Sequence, residues 1–292
     1  MLALSESAIQ HTMPSKSRDR LANLTERGYQ IEYHAHAEAI LGVDFPSALD
    51  ELSDVLTSES IPVEEIIGSG GGETKGTQRL RRGLAAKGWN KTKFEIRKIV
   101  NGVQRESITH EIDHVRAFAA PEGEQGKTIA LEIEWNNKDP FFDRDLENFK
   151  RLHAEGAISV GIIVTRGTSL QNELRALVER WANENKVDGF ERLAELGVTP
   201  TAKQKKAIAG RVDRKRDPIP FRRAWVEKFV GDKYGAATTH WSKLEDRVSR
   251  GVGNPCPLLL IGLPASIVTF GEHGGSVARF LEEEGEEFHD EE

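Results

Sequence analysis

The sequence predicts an α/β fold, a mixed central sheet flanked by helices, and three observations carry that prediction. Residues 158–165 (ISVGIIVT) and 258–262 (LLLIG) are continuous apolar runs, the mark of strands buried on both faces. Residues 128–135 alternate β-formers with carboxylates, the period-two pattern of a strand. Between this strand and the first apolar run, Phe142, Leu146, Phe149 and Leu152 recur at helical spacing. Strand, helix and buried strand in succession read as α/β.

The remaining elements follow in order. Residues 28–35 (GYQIEYHA) read as a short strand, and residues 38–41 and 46–56 as helix. Gly68 to Gly72 (GSGGG) breaks the chain. Residues 76–87 form a basic helix closed by Gly88. Residues 94–100 and 108–118 are strand-like, and Pro121, Gly123 and Gly126 mark the loop of a hairpin. The helix over 140–155 is ended by Gly156. Residues 170–240 have a different character, helical and charged, with Trp181, Pro200, Pro218, Pro220 and Trp225, and read as an inserted helical subdomain. Within it Thr199 is the expected cap of a basic helix beginning at Pro200. The expected organisation is a catalytic core over 1–169 and 241–280, the insertion over 170–240, and a disordered acidic tail over 281–292.

Composition narrows the class. The apolar content of 38% suffices for a core in a chain of 292 residues, and no apolar run approaches the roughly 20 residues of a membrane span. Residues 1–20 carry no apolar signal core. The single Cys256 excludes an internal disulfide framework and zinc sites built from several cysteines. A cytoplasmic location is the expectation. The net charge of −7 conceals clustering: residues 281–292 carry eight acids and no Lys or Arg, while positive charge gathers over 75–98 and again over 203–223. Local patches, not the total, govern attraction to phosphate; each cluster taken singly is equally a solvated helix face.

The chemistry concentrates at Asp113, in the sequence Ile112-Asp113-His114, and at Glu132 and Glu134 on one side of the strand over 128–135. Burying unpaired carboxylates together costs several kcal/mol each, and like charges raise one another's pKa. A divalent cation removes that conflict, and Mg²⁺ with a few carboxylates and substrate phosphates is the chemistry of phosphodiester cleavage. The plain alternative is a solvated strand face bearing surface Glu. His110 and His114 flank Asp113, and His34 and His36 alternate on a strand. Without Cys or a longer His pattern these are polar surface or satisfied core residues rather than a zinc site.

Six segments in order carry a family resemblance: Ala86-Lys-Gly-Trp89; Ile112-Asp113-His114; the strand 129–135 with Asn136, Asn137 and Lys138; the helix 142–152; the strand 159–164; and residues 255–262 (PCPLLLIG). Together they resemble the BglII- and BstYI-like restriction endonucleases, and more distantly the BamHI-like ones. The resemblance spans roughly residues 28–166 and 237–265. It implies a PD-(D/E)XK nuclease core, with a homodimer clamping a palindromic DNA duplex and a cognate methyltransferase in a prokaryotic host. The activity implied is type II restriction, Mg²⁺-dependent sequence-specific double-strand cleavage in which water attacks the phosphodiester. Asp113 and Glu132 match the two metal-binding acids. Glu134 stands where BglII-like members have Gln and BamHI has Glu; it is the candidate base or a further metal ligand, and the Ile133 carbonyl suits a hard cation. One Mg²⁺ and two per site both remain open. The base-reading positions fall at Asn136, Asn137 and Lys138, and at Arg166, Thr168 and Ser169. Asn pairs with adenine N6 and N7, and Arg with guanine O6 and N7; Asn136-Asn137 is equally a polar turn entering the helix. Family relatives carry Asn or Glu near the start of the basic helix, where this chain has Thr77 and Gln78. The helix 142–152 supplies the dimer contact by resemblance, though its apolar stripe is what any core-packed helix shows. A site with a GATC core is the first expectation for the target. A repair or junction nuclease on the same core and a non-catalytic DNA-binding protein are the alternatives.

Overall fold

The central runs of the sequence become the middle of a six-stranded sheet. In this computed structural model residues 20–68, 74–119, 127–271 and 277 are described; most of the 68–72 glycine break, the 121–126 loop and the acidic tail fall outside them. The sheet contains β1 (Gln30–His34), β3 (Asn90–Val100), β4 (Val103–Phe118), β5 (Lys127–Glu134), β6 (Val160–Arg166) and β7 (Leu258–Leu263), in the order β1-β7-β6-β5-β4-β3. A two-residue β2 (Ile61–Pro62) pairs separately with β8 (Val268–Thr269). β5, β6 and β7 run parallel, while β1, β4 and β3 pair antiparallel. β6 and β7 are buried at every position, as continuous apolar runs require.

The pairings make the sheet mixed, and with helices on both faces the class is α/β. On one face α6 (Phe141–Ala154) and α11 (Trp241–Ser249) pack with Ala130, Ile163, Leu258 and Leu260. The stripe predicted for α6 is wholly enclosed within the chain's own core: Phe142, Leu146, Phe149 and Leu152 are each 0% exposed. Gly161 on β6 makes room for this helix. A Cβ there would lie 2.4 Å from Phe149 Cδ2.

On the other face Leu131, Ile162, Val164, Leu259 and Ile261 share a core with α1 (Ala22–Glu26), α2 (Ala37–Asp44), α3 (Pro46–Ser58), α4 (Val63–Gly68) and α5 (Lys75–Ala86). The same core takes in apolar residues of α7 (Thr168–Glu184), α8 (Phe190–Glu195), α9 (Ala202–Val212) and α10 (Phe221–Lys233). The start of α9 corrects the sequence expectation. Its cap is Thr201, two residues later, where a reciprocal capping box with Gln204 satisfies both backbone N–H groups. Among the described residues no helix is long and apolar enough to cross a membrane.

Candidate active site

The acids sit where two neighbouring strands part. β4 pairs with β5 from Phe118↔Lys127 to His114↔Leu131 and no further, whereas β5 follows β6 as far as Glu134↔Thr165. Asp113 lies one residue past the last β4–β5 pair, and its backbone N–H reaches Glu132 Oε1 at 3.4 Å. Glu132 and Glu134 share the face of Ala130, toward α6, and are 5% and 3% exposed. Asp113 is exposed, and its carboxylate faces Lys91 Nζ at 3.6 Å.

A carboxylate that sequence reasoning missed joins them. Asp145 on α6 is 1% exposed and raises the pKa of both glutamates by its charge. The signal was available: Asp145 occupies an apolar-stripe position of α6, between Phe142 and Phe149 and beside Leu146. Arg144 bridges the solvent side, bonding Asp145 Oδ1 through Nε at 2.8 Å and lying 3.6 Å from Glu134 Oε1. The Asn137 amide donates to Glu134 Oε2 at 2.8 Å.

Burial sets the electrostatics. It pushes the Glu132 carboxyl up to about 9, with the charges of Asp145 and Asp113 adding to the effect. Glu134 is pushed up to about 8, first by burial and then by Asp145, against the opposing Asn137 bond. Burial also raises Asp145, and Arg144 opposes it. Glu134 and Asp145 can bond each other only if one carries a proton; as two carboxylates neither donates, and Asp145 Oδ2 then has no partner among the described residues. A divalent cation suits this donor set of hard anionic oxygens, one of them orphaned. Among the described residues no three acids or histidines are already spaced as metal ligands.

Beyond the strand end lies a cleft of about 390 Å³ bordered by Thr74, Thr77, Asp113, Ile133, Asn136 and Asn137. α5 starts at this cleft, its N-terminal Thr74 hydroxyl accepting from Thr77 N–H at 3.3 Å. Asn136 is half-buried, while Asn137 and Lys138 are exposed. Their loop is tied to residues 237–239: Thr239 N–H donates to the Asn137 carbonyl at 2.8 Å and Asp139 N–H to the Ala237 carbonyl at 3.0 Å.

Arg166 departs from the sequence expectation. It is 0% exposed and donates to the carbonyls of Trp135 (2.7 Å) and Thr239 (2.6 Å) and to Thr238 Oγ1 (2.7 Å). In this structure it fastens the loop from beneath and presents no donor outward. Thr168 and Ser169 are exposed at the start of α7, and Ser169 Oγ accepts from Ala265 N–H at 3.2 Å. His114 is buried, held to the Leu131 carbonyl through Nδ1 at 3.3 Å, and burial lowers its pKa so that it stays neutral. It is a core residue.

A mixed sheet whose parallel strand ends in buried acids, beside a diverging antiparallel strand, is a restriction-endonuclease-like fold. The family model described as restriction endonuclease BglII/BglIII matches residues 29–263, and the chain belongs to that family. No curated protein matches the chain.

Proposed function

We propose that the protein is a type II restriction endonuclease that cuts both strands of a palindromic DNA duplex by Mg²⁺-dependent hydrolysis. In this reading it acts as a homodimer in a prokaryotic cytoplasm, beside a cognate DNA methyltransferase. The observation that carries the reading is Glu132 and Glu134, buried together at the end of β5 where β4 turns away, in a chain of a restriction endonuclease family.

Asp113, Glu132, the Ile133 carbonyl and Glu134 would hold one or two cations. When bound, Mg²⁺ supplies positive charge against the negative charge that builds on the phosphoryl oxygens in the transition state. Glu134 accepts the proton of the attacking water, a task that needs its carboxylate form. Burial and the Asp145 charge push its pKa up to about 8 in the cation-free site, and a bound cation acts in the opposite direction, favouring the carboxylate. Asn137 fixes its orientation through the bond to Oε2. Asn136, Asn137 and Lys138 face base edges from one loop and Thr168 and Ser169 from the next, with Arg166 acting from below by holding the first loop in place. A GATC core is the first target to try. Residues 170–240 form a helical insertion between the parts of a catalytic core over 1–169 and 241–280, with 281–292 as a tail.

The test is Glu132→Ala. It is expected to abolish cleavage while retaining DNA binding in a gel-shift assay with Ca²⁺. Cleavage at the parental rate would sink the assignment of the site.

A further inference from the structure

α6 does two unlike things at one position. Its stripe of Phe142, Leu146, Phe149 and Leu152 fills the core beneath the sheet, yet Asp145, in the same stripe, sends a carboxylate into that interior at 1% exposure. An acid at such a position needs a reason, since an apolar residue would pack there without cost. The ion pair with Arg144 does not provide one. Arg144 is 54% exposed, and a half-solvated pair contributes little. Nor does hydrogen bonding, because Oδ1 is held by the exposed Arg144, and beyond it Asp145 has only Glu134 to bond, which requires one of the two acids to stay protonated; as two carboxylates they leave Oδ2 buried without a partner among the described residues. What surrounds Asp145 is more negative charge: Glu132 and Glu134, both enclosed. The guanidinium of Arg144, shared between Asp145 and Glu134, occupies the place where a positive charge is required.

We propose that Asp145 is a further ligand of the cation site, a carboxylate that α6 adds to those of β4 and β5, and that Arg144 balances its charge when no cation is bound. The proposal rests on the reading of the site as a cation-dependent nuclease centre. It extends that reading from the strands to the helix packed against them, so the cation would fasten α6 to the end of β5.

The test is calorimetric titration of the full-length protein with Mn²⁺ and with Ca²⁺, paired with thermal melts with and without each cation. Asp145→Asn keeps the shape and the Arg144 contact but removes the charge. It is expected to weaken cation binding by at least roughly 10-fold, the lower end of what losing a mere outer-shell partner costs, and to shrink the cation-induced rise in melting temperature, while the cation-free protein melts at the same temperature or higher. A purely structural acid behaves in the opposite sense, with cation affinity kept and the cation-free melting temperature lowered; that result overturns the proposal. Arg144→Gln gives an independent check that does not alter Asp145. It is expected to tighten cation binding by removing the competing charge, and weaker binding overturns the proposal. If Asp145→Asn binds cations like the parent and the parent still cleaves DNA with Mg²⁺, Asp145 alone is misassigned. If the parent neither binds cations nor cleaves, the nuclease reading fails with it.

Discussion

Glu132→Gln should make the cation-free protein more stable, and the gain should depend on pH in a defined direction. The Glu132 carboxyl rises from an ordinary 4.5 to about 9 in the fold. A group whose folded pKa lies above its unfolded value is held neutral by the fold. Its contribution is fully present below about 4.5 and is lost as pH rises toward 9. At pH 7 the unfolded chain has released the proton and the fold has not, which costs about 3 kcal/mol. At pH 5 the same difference is under about 1 kcal/mol. Glutamine carries no proton to release, so the variant escapes the penalty. Urea unfolding in EDTA, followed by the fluorescence of the five tryptophans, measures both values. The expected outcome is a Gln variant more stable by about 3 kcal/mol at pH 7 and by under about 1 kcal/mol at pH 5. With Mg²⁺ present the parent gains stability and the variant gains less. A variant no more stable than the parent at pH 7 would refute the argument, because it would make Glu132 a carboxylate already satisfied by the fold.

Three further outcomes follow from the geometry. Gly161→Ala places a methyl 2.4 Å from Phe149 Cδ2 and should lower stability by about 1–3 kcal/mol; an unchanged melting temperature would mean that α6 is free to move away from β6. Arg166→Met leaves the carbonyls of Trp135 and Thr239 without their donor, at about 1–3 kcal/mol for each buried group, and should raise cleavage at near-cognate sites as the loop slackens. Equal stability and an unchanged site preference would remove Arg166 from the account. Asn137→Ala deletes the bond that holds the Glu134 pKa down, so Glu134 protonates more readily. The acidic limb of the pH–rate profile should then move to higher pH, together with relaxed sequence discrimination; a superimposable profile would reduce Asn137 to a turn residue.

The residues that follow a local period were legible in the sequence. β5, β6, β7 and α6 announce themselves by alternation, continuous burial and helical spacing, and the alternation alone placed Glu132 and Glu134 on one face. What escaped depends on long-range contact. Asp145 reads as a surface acid until α6 is laid on β5. Arg166 reads as an outward reader until residues 238 and 239, more than seventy positions later, fold back over it. The hairpin of β3 and β4 is longer than the sequence suggested, since residues 90–93 and 104–107 are polar and carry no apolar alternation. Its turn went unread although Asn101-Gly102 is a hairpin signal; in the structure the two residues take φ of 51° and 78°. The cap of α9 was displaced because two threonines flank Pro200, and only Thr201 has a Gln three residues on to close the box.

The most direct test of the central claim is digestion of unmethylated phage DNA by the purified protein, with Mg²⁺ or with EDTA, followed by sequencing of the fragment ends. Discrete Mg²⁺-dependent fragments whose ends share one palindrome are the expected result. Binding without cutting, or cutting with no shared sequence at the ends, would contradict the claim.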